Sequence, residues 1–228
     1  MQSRPPRLCY ITARSALEPR PILPVIRGAI EAGIDLIQIR EKDLPTLELL
    51  GLAEAVVEAA RDAVQGGGAT VWEGTRIVVN DRLDVALAAG AHGVHLGGKS
   101  MLVEQVRSAT SALESGFWVG SSCHSAAEVL AAETAGADYV VIGPVFETPS
   151  KVGYGPPLGL GVLREAARQS RVPLLALGGI SPERVRSCLE AGATGIAGIS
   201  IFQDCSCVSE RVRELKKEIE EFEGARKQ

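Results

Sequence analysis

Short apolar runs with little polar alternation recur along the chain, and between them lie longer stretches that mix apolar and polar residues at helical spacing. One phrase marks the change from the second texture to the first. It stands four times, as Ala32-Gly33-Ile34-Asp35, Ala89-Gly90-Ala91-His92, Ala135-Gly136-Ala137-Asp138 and Ala191-Gly192-Ala193-Thr194, each just before an apolar run. Glycine adopts the left-handed conformation after a helix at little steric cost, so each copy reads as a helix stopping and a strand starting. Strands that are apolar on both faces belong to a parallel sheet wrapped in helices.

The runs predict strands near Leu8–Thr12, Asp35–Ile39, Arg76–Val79, Gly93–Leu96, Trp118–Ser121, Tyr139–Ile142, Leu174–Leu177 and Gly195–Ile199. Helical patterns fall between them, for instance over Pro45–Gln65 and Pro182–Ala191, with a charged closing helix over Val208–Glu223. The stretch Gly66–Gly74 reads as a loose surface loop. Eight strands alternating with helices predict a closed α/β barrel of the (β/α)8, or TIM, type; the GxGxxG that an open dinucleotide-binding sheet would carry is absent. A length of 228 residues suits one such barrel spanning residues 1–228, with no second domain.

Composition then narrows the partners. The chain is 46% hydrophobic and 23% charged with a formal net charge of −4, enough apolar material for a sizeable core. No Lys/Arg cluster has the size that nucleic acid or an anionic membrane requires, so neither is expected as a partner. The N-terminal residues lack the apolar stretch of a signal peptide, and no apolar run approaches the ~18 residues of a membrane span. Five scattered cysteines, Cys9, Cys123, Cys188, Cys205 and Cys207, show neither CxxC pairs nor zinc spacing and read as reduced thiols, the last two partly buried in a loop. The expected compartment is the cytoplasm, and a homo-oligomer is left open.

In a barrel of this kind the active site is built at the C-terminal ends of the strands, and the polar residues collect there. The second strand ends in Gln38-Ile39-Arg40-Glu41-Lys42 and the third in Asn80-Asp81; the fifth runs into Ser121-Ser122-Cys123-His124, and the sixth leads to Thr148, Ser150 and Lys151. Gly178-Gly179 follow the seventh, then Ser181-Pro182 as a helix N-cap with Pro at N1. Glycines there let backbone N–H groups approach an anion, so Gly178, Gly179, Ile199 and Ser200 form a candidate phosphate cup. Arg40, Lys42, Thr148, Ser150 and Lys151 form a second anion-binding region, with Asp81 as a carboxylate able to hold Mg²⁺ beside a diphosphate. Asn80-Asp81 could instead cap the following helix, Glu41 reads as a salt-bridge or positioning residue, and His92 and His95 as packing or surface residues. His124 stands equally between a surface and a functional role.

Jointly, IQIREKD at 37–43, VVNDRLDVALAAGAHGVHLG at 78–97, GSSCHS at 120–125, GADYVVIGPVFETPSK at 136–151, ALGGISPE at 176–183 and AGATGIAGIS at 191–200 make the chain resemble the thiamine phosphate synthase and TenI thiazole tautomerase family over nearly its whole length. The resemblance implies joining of hydroxymethylpyrimidine diphosphate to hydroxyethylthiazole phosphate with release of diphosphate. Gln38, Arg40, Lys42, Asn80, Ser122, Thr148, Ser150 and Lys151 would then hold the pyrimidine diphosphate, Asp81 would bind Mg²⁺, and Gly179, Ile199 and Ser200 would hold the thiazole phosphate. Among these, Arg40 and Lys151 are the candidate catalytic cations, since charge developing on the leaving diphosphate needs neutralising.

One position departs from that pattern. Synthases usually read HxGQxD after the fourth strand, whereas this chain reads His95-Leu96-Gly97-Gly98-Lys99-Ser100, so Ser100 replaces a second acidic metal ligand and metal affinity should fall. The tautomerase branch also lacks that acid and shares SCHS at 122–125, where His124 would transfer a proton. A barrel that binds phosphate ligands without catalysis is the third reading. Retention of Ser150 and the basic cluster favours the synthase.

Overall fold

A computed structural model describes residues 5–67, 74–113, 116–148 and 156–226. Eight parallel strands close on themselves in chain order: β1 (Leu8–Ile11), β2 (Leu36–Ile39), β3 (Arg76–Asn80), β4 (Gly93–Leu96), β5 (Trp118–Cys123), β6 (Tyr139–Ile142), β7 (Leu174–Leu177) and β8 (Gly195–Gly198). Between them run α1 (Ile22–Glu31), α2 (Thr46–Gly67), α3 (Leu83–Ala88), α4 (Val103–Ala109), α5 (Ala126–Thr134), α6 (Gly159–Gln169) and α7 (Pro182–Glu190), followed by α8 (Ser200–Gln203) and α9 (Val208–Ala225). This is the (β/α)8 barrel expected from the apolar runs.

The repeated phrase does what its glycine requires. Gly33, Gly90, Gly136 and Gly192 all have positive φ, between 62° and 101°. Two backbone bonds close each helix end: in the first copy Gly33 N–H donates to Ile30 O (2.8 Å) and Ile34 N–H to Ala29 O (3.1 Å), and the other three repeat the pattern. The fourth residue of the phrase then reaches across to the start of the preceding strand. Asp35 Oδ2 accepts from Leu8 N–H (2.9 Å), His92 Nδ1 from Ile77 N–H (2.9 Å), Asp138 Oδ2 from Val119 N–H (2.7 Å) and Thr194 Oγ1 from Leu174 N–H (3.1 Å). The lower rim is thus built four times over.

Strand alternation sorts the core in two. Cys9, Ile11, Leu36, Val78, Tyr139, Val141, Leu175 and Ala197 fill the barrel interior, while a larger cluster that includes Ile37, Val79, Val94, Val140 and Ile196 packs between the strands and the helices.

Three local expectations change. Helix α2 continues through Gly67, so Gly66 and Gly67 are helical where a loop was expected from Gly66 to Gly74, and 68–73 of that stretch fall outside the described residues. Ser181 occupies the N-cap of α7 with Pro182 at N1, but its hydroxyl makes no cap bond to the backbone. The loop after β8 contains α8, so Ser200 opens a short helix.

Candidate functional site

At the C-terminal ends of β2, β3 and β4 the inward side chains bond to one another around the mouth. Gln38, almost wholly buried, donates from Nε2 to Asn80 Oδ1 (2.7 Å), and Asn80 Nδ2 donates to Asp81 Oδ2 (2.7 Å). Asp81 Oδ1 accepts from Gly97 N–H (3.1 Å) and from the Ser100 hydroxyl, which also accepts from Gly97 N–H (2.7 Å). Asp81 sits at φ 63°, a left-handed conformation that Asp tolerates better than most residues. Helix α3 is capped by Arg82 with no side-chain bond, so neither Asn80 nor Asp81 serves as its cap. Gln38 Oε1 is buried and has no hydrogen-bond partner among the described residues. An acceptor left so costs ~1–3 kcal/mol, which a donor on a ligand would recover.

Arg40 is half-buried at the end of β2, and its backbone N–H donates to Thr12 Oγ1 (2.9 Å). That hydroxyl donates to Glu41 Oε1 (2.5 Å), and Glu41 Oε2 accepts from Arg14 N–H (3.0 Å). Glu41 is therefore a buried positioning carboxylate that ties the β1–α1 loop to the strand bearing Arg40. Lys42 is exposed and Thr148 half-buried. Ser150 and Lys151 lie outside the described residues.

Ser122, on the inward face of β5, lies 2.9 Å from His95 Nε2, and His95 Nδ1 lies 3.0 Å from Tyr139 Oη. Burial pushes the His95 pKa down to about 4, with the Asp81 charge opposing and the Arg40 charge adding to the fall, so the ring is neutral. His95, expected to pack, thus joins the site from below; its place directly opposite Asn80 in the β3–β4 ladder depends on strand register. His124 stays at the surface. Its backbone N–H (2.7 Å) and ring Nδ1 (3.3 Å) both meet Glu128 Oε2, at the start of α5.

Across the ring, the residues expected to form the phosphate cup stand after β7 and β8. Gly178 and Gly179 have φ of 96° and 61°, and a Cβ on either would fall within 2.5 Å of Pro144 Cβ or 2.4 Å of Glu147 O. Glycine there lets the β6–α6 loop close against the β7–α7 loop, joined by Val145 N–H to Leu177 O (2.7 Å) and Phe146 N–H to Gly178 O (3.0 Å). Ile199 caps α8, and Ser200, exposed, is its first residue. Arg184 on α7 also belongs to this side: its Nη1 donates to Gly179 O (2.7 Å) and its guanidinium lies 4.7 Å from the Phe146 ring centre. A basic residue on the first turn after Gly-Gly was the available signal for it.

Residues 8–202 match the family model TMP-TENI, described as thiamine monophosphate synthase. The chain is 40% identical over 193 residues to the thiamine-phosphate synthase of Methanoculleus marisnigri, covering 85% of each chain. It is 36% identical over 205 residues to that of Moorella thermoacetica, covering 90% of this chain and 91% of that one. The solved thiamine phosphate pyrophosphorylase of Pyrococcus furiosus superposes with a TM-score of 0.81 at 33% identity, over 95% of this chain and 96% of that one. A 3-hexulose-6-phosphate synthase, at 18% identity and a TM-score of 0.66, shares the fold.

Proposed function

The chain belongs to the thiamine monophosphate synthase family, and on that premise we propose that it joins hydroxymethylpyrimidine diphosphate to hydroxyethylthiazole phosphate, releasing diphosphate. The observation that carries this reading is the arc from Gln38 to Ser100, with its unpartnered buried acceptor, facing a glycine cup across the mouth. Two phosphorylated molecules need two such sites. In the reaction the C–O bond between the pyrimidine methylene and the diphosphate breaks, the electron pair leaves with the diphosphate, and the thiazole nitrogen lone pair forms the new C–N bond. No protein nucleophile is needed.

Gln38 and Asn80 orient the pyrimidine, and Arg40, Lys42, Ser122 and Thr148, together with Ser150 and Lys151, hold the diphosphate and offset charge as it leaves. Gly179, Ile199 and Ser200 hold the thiazole phosphate through backbone N–H groups and the hydroxyl. The donor set at Asp81 fits a hard divalent cation: one carboxylate and the Ser100 hydroxyl, with water and diphosphate oxygens completing the shell. Bound there, Mg²⁺ supplies positive charge against the diphosphate oxygens. Binding the pyrimidine diphosphate and the thiazole phosphate makes these small molecules, rather than a macromolecule, the partners. The surface position of His124 on Glu128 supports the synthase over a tautomerase that works through this ring.

The test mixes purified protein with both substrates and Mg²⁺ and follows diphosphate release and product mass. Release is expected, and His124→Ala should leave it unchanged. Absence of release, with faster isomerisation of the thiazole carboxylate phosphate that His124→Ala removes, would overturn the reading in favour of the tautomerase.

A further inference from the structure

We propose that Tyr139 and His95 fix the direction of the Ser122 hydroxyl, so that its proton points into the barrel mouth and Ser122 donates a hydrogen bond to an anionic ligand. The inference rests on the functional reading above for the identity of that anion, the diphosphate, and on the structure for the proton arrangement.

The three groups stand on the inward faces of consecutive strands β4, β5 and β6. Tyr139 is fully buried and His95 nearly so, and their rings lie 5.6 Å apart with a 37° tilt, backed by Trp118 at 5.9 Å from Tyr139. A phenol has one proton to donate, and among the described residues the only hydrogen-bond partner of Tyr139 Oη is His95 Nδ1. If Nδ1 carried the ring proton, the imidazole would donate to the phenol oxygen and the phenol proton would be stranded in an apolar interior. A doubly protonated ring strands the same proton and adds a buried cation. One arrangement uses every proton: Tyr139 donates to Nδ1, and the ring proton sits on Nε2 and is donated to Ser122 Oγ.

The consequence falls on Ser122. Its oxygen is engaged by the ring, so its own proton is left over, on a half-buried residue at the mouth end of β5. The opposite tautomer would take that proton into the ring and leave lone pairs facing the mouth, where an anion would be repelled. Tyr139 is therefore a positioning residue that acts on the substrate through two intermediaries.

The chain has three histidines, so ¹⁵N-histidine labelling gives a readable long-range ¹H–¹⁵N spectrum. Without substrate and at neutral pH, His95 is expected as the Nε2–H tautomer; the Nδ1–H tautomer would overturn the proposal. Tyr139→Phe removes only the hydroxyl, should abolish that tautomer preference, and should weaken binding of inorganic diphosphate with Mg²⁺ about tenfold while leaving the KM for the thiazole phosphate unchanged. Unchanged diphosphate binding in that variant would also overturn it. Should the variant fail to fold, the tautomer of the wild-type protein alone decides. A protein with the Nε2–H ring that never releases diphosphate would refute the synthase reading and leave the proton arrangement standing.

Discussion

The two ends of this barrel are built on opposite principles. At the lower rim the same device appears four times, a left-handed glycine and, two residues on, a side chain that accepts the N–H of the first or second residue of the strand before it. At the mouth the strand ends differ: a buried amide within β2, a strained aspartate after β3, a hydroxyl near the end of β5 and a glycine pair after β7. Repetition suits a task that is equal all round the ring, closing strands and ending helices. Asymmetry suits a task that must tell two ligands apart. Changes at the rim should therefore cost stability and spare turnover, and changes at the mouth the reverse.

Asp81→Asn gives the largest expected effect. Asparagine tolerates φ near 60° and keeps the shape of the side chain, so the melting temperature should stay within about 2 °C of wild type. Turnover, measured as diphosphate release, should fall roughly 1,000-fold, about 4 kcal/mol of transition-state stabilisation, because the one carboxylate of the proposed Mg²⁺ site is gone. Full Mg²⁺-dependent turnover in this variant would remove Asp81 from that role.

Next in size is a pH effect to which each end contributes one histidine. His92 at the rim and His95 below the mouth both have pKa values pushed below the ordinary 6.5, first by burial and then, for His92, by Arg76 and Arg61. The unfolded chain takes up protons that the folded chain refuses, so this stability is complete above pH 6.5 and is lost as the pH falls toward about 4. For His95 the loss amounts to roughly 3 kcal/mol over that window. Thermal melts from pH 7.5 to 4.5 should show the decline, and His95→Gln should flatten it; an identical slope in the variant would place the linkage elsewhere.

The rim itself is probed by Asp138→Ala, which removes the acceptor for Val119 N–H and the partner of Arg107. A loss of about 2 kcal/mol is expected, read as a melting point roughly 4–8 °C lower, with kcat and both KM values unchanged at 25 °C. A changed KM would show that the two ends are not separate.

The same contrast explains what could be read from the amino-acid order. Helix ends and strands are local, so Gly33, Gly90, Gly136 and Gly192 announced them, and the strands lie within two residues of the runs that predict them. Asn80, Asp81 and Gly178-Gly179 were visible because strand ends are known once strands are. The contacts among site residues were not. His95 meets Ser122 and Tyr139 across 27 and 44 positions, and Thr12 meets Glu41 across 29, so each pairing depends on the register in which the ring closes. Composition and spacing carry the period of a strand but not its neighbour's offset, which is why a buried histidine with a mouth-facing partner resembled an ordinary core residue.

The smallest effect tests whether asymmetry at the mouth extends to the metal. Ser100 donates to Asp81 Oδ1, and Gly97 N–H serves both, so the site holds a single negative charge that is already partly satisfied. Ser100→Asp adds a second carboxylate at the same place. With metal bound the two charges share a cation, and the half-saturating Mg²⁺ concentration should fall about tenfold, roughly 1.4 kcal/mol, in activity and in Mn²⁺ binding followed by electron paramagnetic resonance. Without metal the two carboxylates repel, so the metal-free variant should melt a few degrees below wild type and recover on adding Mg²⁺. The two signs together are diagnostic: tighter metal without the metal-free loss would mean that residue 100 does not face Asp81, and the loss without tighter metal would mean that the cation sits elsewhere in the mouth.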